Sequence, residues 1–157
     1  MRFSHPIIDE VAALTFPEPH NVVINHGAAM VIRGYRKEHE AGDIDMCVSQ
    51  ANADYLEKTL GFEVVDKVVG QSSDGADITV KVRHDPARRF DIHVWDFSPQ
   101  LYSETGKGRM SIEDQIPYCD QDEATGFWIA SKDLLLLEKR NSDRPQDIED
   151  VKILELN

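Results

Sequence analysis

Three aspartates and one small-residue turn carry the chemical promise of this chain. Asp43-Ile44-Asp45 opens an apolar run, and alternate positions on a strand share a face, so both carboxylates point the same way. Upstream, Val22-Val23-Ile24 leads into His26-Gly27-Ala28-Ala29, where small residues opening a helix offer backbone N–H groups to an anion. Paired carboxylates hold a divalent cation and such a turn receives phosphates, a combination suited to a magnesium-bound triphosphate. The third aspartate is Asp91, inside Arg89-Phe90-Asp91-Ile92-His93-Val94-Trp95. A charge within an apolar strand is costly unless it is paired or binds metal. If strands 43–48 and 89–97 are neighbours, Asp43, Asp45 and Asp91 converge, and the cluster repels itself unless a cation sits in it. Oxygen ligands favour Mg2+ or Mn2+ over zinc, and Asp91 is also placed to take a proton as general base. The bland alternative pairs Asp91 with Arg88 or Arg89 at a strand end. His26 is read as a packed or solvent-facing ring, and His93 as a minor candidate for the cation cluster.

Positioning these groups falls to elements legible in the pattern. A first helix is expected over 6–14, with Ser4 ahead of it, Pro6 at its start and Ile7, Ile8, Val11 and Leu14 on one face. A buried strand over 21–25, a helix over 27–34, a loop over 35–42 and a strand over 43–48 follow. Ser49 caps a helix over 50–60 with Tyr55, Leu56, Thr59 and Leu60 inward, and Gly61 ends it. Strands are expected over 62–69, 77–83 and 89–97, with a turn at 70–75. Residues 98–125 read as mostly loop with a short helix, and 126–130 as an edge strand. Ser131 caps a helix over 132–139, whose Leu134 to Leu137 run is core. Pro145 begins the last helix, with Ile148, Val151, Ile153 and Leu154 inward. The fold class is α/β (α+β): a small mixed β-sheet flanked by helices, with a helical C-terminal tail, all in one domain spanning 1–157. The core is about 20–97 and the tail about 131–157.

Composition narrows the partners. The 157 residues carry 29 acidic and 17 basic side chains, a net charge of -12, which argues against broad binding to nucleic-acid backbone. A local basic patch would draw on Arg33, Arg36, Lys37, Arg88 and Arg89. No apolar run is long enough for a bilayer and no secretory h-region opens the chain, so the expectation is a cytoplasmic protein without a membrane partner. Cys47 and Cys119 lack CxxC spacing and fit a reducing compartment. The GxSxG, GxxxxGK[ST] and HExxH patterns are absent. A second pair, Asp120 and Asp122, lies in a polar loop and is read as chance.

The order of these devices resembles the nucleotidyltransferase superfamily with the DNA polymerase β-like fold. Two branches are similar: the AbiEii-type group, which contains toxins of toxin–antitoxin systems, and the small lincosamide and aminoglycoside nucleotidyltransferases. The likeness runs from about residue 22 to 156 and includes the tail Leu134-Leu135-Leu136-Leu137-Glu138-Lys139, then Arg144-Pro145-Gln146-Asp147 and Asp150-Val151. The resemblance implies a Mg2+-dependent transfer of a nucleoside monophosphate from a triphosphate, ATP among them. The acceptor would be a hydroxyl or phosphate on a protein, an RNA end or a small molecule. It implies metal-binding and catalytic roles for Asp43, Asp45 and Asp91, phosphate contacts at Gly27 and Ala28, and a nucleotide contact from Lys139, with Asp147 and Asp150 completing the tail motif. So short a chain leaves one wall of the cleft to be supplied, for which a homodimer would serve. The alternative within the same fold is a catalytically silent domain that binds a nucleotide or a protein partner.

Overall fold

The computed structural model describes residues 1–37, 42–71, 74–97 and 108–157. It is a mixed α/β fold built on one seven-stranded sheet. Helix α1 (Pro6–Ala12) begins with Pro6, which lacks the N–H that the first turn cannot use. Its cap is His5, whose Nδ1 accepts from the Ile7 N–H at 3.1 Å, rather than Ser4. The helix stops at Ala12, two residues short of expectation, because Thr15 turns to φ 54° ahead of Phe16-Pro17. A 3-10 turn (Pro19–Asn21) leads to β1 (Val22–Ile24). Helix α2 (His26–Ile32) follows, capped by Asn25 and ended by Gly34 at φ 80°.

Strand β2 (Ile44–Val48) pairs antiparallel with β1, matching Ile24 to Met46 and Val22 to Val48. Ser49 then caps α3 (Gln50–Lys58), and Gly61 at φ 71° turns the chain away. Strands β3 (Glu63–Gln71) and β4 (Asp77–His84) form a long hairpin at one sheet edge. β5 (Phe90–His93) pairs antiparallel with β4 and parallel with β2. The strand expected over 89–97 is therefore broken at Val94-Trp95: β6 (Asp96–Phe97) leaves the main sheet and pairs with β7 (Arg109–Met110).

Within the described part of 98–125, the region expected to be mostly loop holds β7, a short helix α4 (Ile112–Gln115) boxed by Ser111 and Asp114, a 3-10 turn (Ile116–Tyr118) and β8 (Cys119–Gln121). Residues 98–107 lie outside the described residues, as do 38–41 of the expected loop over 35–42 and 72–73 of the expected turn over 70–75. β9 (Trp128–Ala130) is not an edge strand. It lies between β1, to which it is parallel, and β8, which takes the edge. Helix α5 (Lys132–Lys139) has the expected bounds and cap, and α6 (Pro145–Leu156) closes the chain.

The sheet order is β3-β4-β5-β2-β1-β9-β8. Alternation divides its two faces. Val22, Ile24, Ile44, Met46, Val48, Ile92 and Ile129 join the large core with Ile7, Met30, Leu56, Leu134, Leu135 and Leu154. Val23, Cys47 and Ile112 form a smaller cluster with Ile116, Cys119 and Trp128. Leu60 and Ile148, expected inward, are 39% and 45% exposed: Leu60 falls after α3 has ended, and Ile148 turns off the α6 stripe that buries Leu154. Asp122, set aside as chance, is fully buried and holds the turn before β9 by accepting from the N–H groups of Phe3 and Thr125 and the Thr125 hydroxyl. Among the described residues no helix is long and apolar enough to cross a membrane.

Candidate functional site

The parallel pairing of β2 and β5 places Asp45 directly opposite Asp91, with Cys47 opposite His93. Period two puts all four on the face of the smaller cluster. Ligand atoms of Asp45, Asp91 and His93 lie within 4.8 Å of one another. Asp91 is 5% exposed. Its Oδ2 accepts from Lys67 Nζ at 3.3 Å, while its buried Oδ1 accepts no hydrogen bond and stands 3.5 Å from His93 Nε2. Arg88 and Arg89, the sequence's alternative partners, face Glu63 and Glu10 instead.

Burial is the main force raising the Asp45 pKa, to about 6; His26 pulls it down, and repulsion from Asp91 adds to the rise. His93 is held below its ordinary value, chiefly by burial, against the attraction of Asp91. Asp43 sits one residue before β2, exposed, and belongs to neither of the His-and-carboxylate clusters found among the described residues.

A second cluster, absent from the sequence reading, adjoins the first. His26 opens α2 at φ 50°, a conformation uncommon outside glycine. Its Nε2 stands 3.4 Å from Asp96 Oδ2 and its Nδ1 3.3 Å from Glu138 Oε2. Asn25 donates to Glu138 Oε1 at 2.6 Å and to Asp96 Oδ2 at 3.3 Å. Burial alone would lower the His26 pKa; the carboxylates of Glu138 and Asp96 outweigh it and lift it to about 10. Burial raises Glu138, and His26 only partly offsets it. Burial would raise Asp96 as well, yet attraction to His26 holds it below the usual carboxylate range. One signal in the chain pointed here. Glu138 falls three and four residues after Leu135 and Leu134, so it shares their inward stripe on α5.

Gly27 and Ala28 lie in the first turn of α2. The Arg36 guanidinium approaches to 3.7 Å from where a side chain on Gly27 would start, and Ala28 is fully buried. Lys139 is 7% exposed and donates to Asp150 at 2.8 Å and to Asp147 at 3.5 Å. Arg36 pairs with the same Asp150. The three tail residues of the resemblance thus meet one another, and Arg36 ties them to the chain beyond α2. Arg33, the remaining arginine of the expected patch, is paired with Asp120.

No known protein family, no curated protein and no solved structure matches this chain.

Proposed function

We propose that the chain is a metal-dependent nucleotidyltransferase. The observation that carries the reading is the register of Asp45 opposite Asp91, with a buried Asp91 oxygen that accepts no hydrogen bond and stands 3.5 Å from His93. Two carboxylates so placed are short of positive charge, and a divalent cation is the economical remedy. Mg2+ fits the two oxygens, and the His93 nitrogen adds a donor that Mn2+ accepts more readily. Bound there, the cation would neutralise charge on a triphosphate. The residues of the chain would do the rest. Asp45 and Asp91 hold the site, and Lys67, 53% exposed along its side chain, can turn from Asp91 to a phosphate. The Asp91 carboxylate would take the proton of an acceptor hydroxyl. The acceptor's hydroxyl oxygen would then bond to the α-phosphorus as the bond from that phosphorus to the bridging oxygen breaks, and pyrophosphate would leave with the electron pair.

The test is transfer of label from an α-labelled triphosphate to the protein itself, to RNA or to a small hydroxylated acceptor, with Mg2+ or Mn2+. Label must appear with wild type and vanish with Asp91→Asn. The toxin form of the reading adds that expression slows growth and that Asp45→Asn relieves it.

A second reading has its own support. Lys139 is locked between Asp147 and Asp150, and Asp43 lies outside both clusters. Both facts favour a domain of this fold that binds a nucleotide or protein partner without turnover. Binding of a triphosphate with no label transferred to any acceptor would select it.

A further inference from the structure

We infer that His26, Asp96 and Glu138 form a second cation site, distinct from Asp45 and Asp91, built for a divalent transition-metal ion. Ligand atoms of the three residues lie within 4.8 Å of one another, close enough for one ion to touch all of them. The independent sign is Glu138. It is 5% exposed, and its Oε2 is buried and accepts no hydrogen bond, His26 Nδ1 standing 3.3 Å away in an ion-pair contact only. A carboxylate oxygen left in that state is costly, and a cation would satisfy it.

One imidazole with two carboxylates, the donor set that Asp45, Asp91 and His93 also offer, suits Zn2+, Co2+ or Mn2+ better than Ca2+ or Mg2+. The His26 side chain is 31% exposed, so the cluster is open to solvent on that side. Asn25 braces both carboxylates from behind, the outer support that ligating groups need.

The experiment is titration of metal-free protein with Co2+ alone, followed by visible absorption, with stoichiometry from native mass spectrometry and folding from circular dichroism. The variants are His26→Gly, Glu138→Gln and Asp45→Asn. His26→Gly suits the left-handed backbone at that position and is the variant expected to fold best. Wild type should bind Co2+ with a nitrogen-ligand spectrum. His26→Gly should lose one ion per chain, Glu138→Gln should bind it at least about tenfold more weakly, and Asp45→Asn should retain it. Equal binding by wild type and folded His26→Gly overturns the inference, as does wild type that binds no Co2+. Loss of this ion in Asp45→Asn also overturns it, because the two clusters would then be one site. Retention of this ion in a protein that never transfers a nucleotide would defeat the proposed activity and leave this site standing.

Discussion

Replacing Asp45 by Asn should stabilise the metal-free protein at neutral pH. Asp45 is half-buried, faces Asp91 across the β2–β5 pair, and has its pKa raised from 3.8 to about 6, chiefly by burial. A carboxyl whose folded pKa is raised stabilises the fold fully below the unfolded value and loses that contribution as pH rises through the folded value. The loss here falls between about pH 3.8 and pH 6 and is complete above it. A rise of about two units corresponds to about 3 kcal/mol. Solvent access to a half-buried group reduces this to about 1–2 kcal/mol. For a domain of this size that is about 2–8 °C in the midpoint of thermal unfolding. Asparagine keeps the shape and removes the charge, so Asp45→Asn should melt higher than wild type at pH 7.5 in a chelator and match it near pH 4. Circular dichroism melts across that range supply the comparison. If Asp45→Asn instead melts lower at pH 7.5, Asp45 is a partner in a structural ion pair and the argument for a cation between the strands fails.

Other substitutions separate scaffold from chemistry. Asp122→Ala should cost about 2–4 kcal/mol in chemical denaturation, because the part-buried N–H groups of Phe3 and Thr125 lose their buried acceptor. Its lowered pKa, opposed by burial but driven by those donors, adds that wild type loses this contribution as pH falls through the acid end of the carboxylate range. Asp150→Asn should cost about 3–5 kcal/mol, since it leaves Arg36 and Lys139 short of their shared counter-ion. A smaller loss accompanied by abolished nucleotide binding would instead give the tail a ligand role. Asp43→Ala should change stability by less than about 0.5 kcal/mol, as befits an exposed position before β2. Any transfer activity should fall less in Asp43→Ala than in Asp91→Ala, and the reverse order would mean that Asp43 swings into the site.

What the sequence made legible was whatever depends on nearest neighbours. Ser49 and Ser131 mark the starts of α3 and α5, and Gly61 marks the turn after α3, because caps and left-handed turns are decided within a few residues. The adjacency of strands 43–48 and 89–97 was posed as a condition, and the β2–β5 register meets it for Asp45 and Asp91. Asp43 was grouped with them by alternation and by the resemblance, yet β2 begins at Ile44 and the strand periodicity has no hold on a residue ahead of it. β8 escaped notice because Cys119-Asp120-Gln121 is short and polar, and without it β9 looked like an edge. The His26, Asp96 and Glu138 cluster draws on three distant segments. It needs the departure of β6 from the main sheet, which has no local signature, and the packing of α5 beside it, of which the inward stripe of Leu134, Leu135 and Glu138 was the one local sign.

The central claim is most directly tested by thermal unfolding of wild type and Asp45→Asn with each ribonucleoside triphosphate, with and without Mg2+ or Mn2+. A ligand at about a hundred times its dissociation constant adds about 2.7 kcal/mol, about 5–10 °C for a domain of this size. The account predicts such a shift for at least one triphosphate in wild type, dependent on the cation and absent in Asp45→Asn. No shift with any triphosphate, or an equal shift in Asp45→Asn, would contradict it.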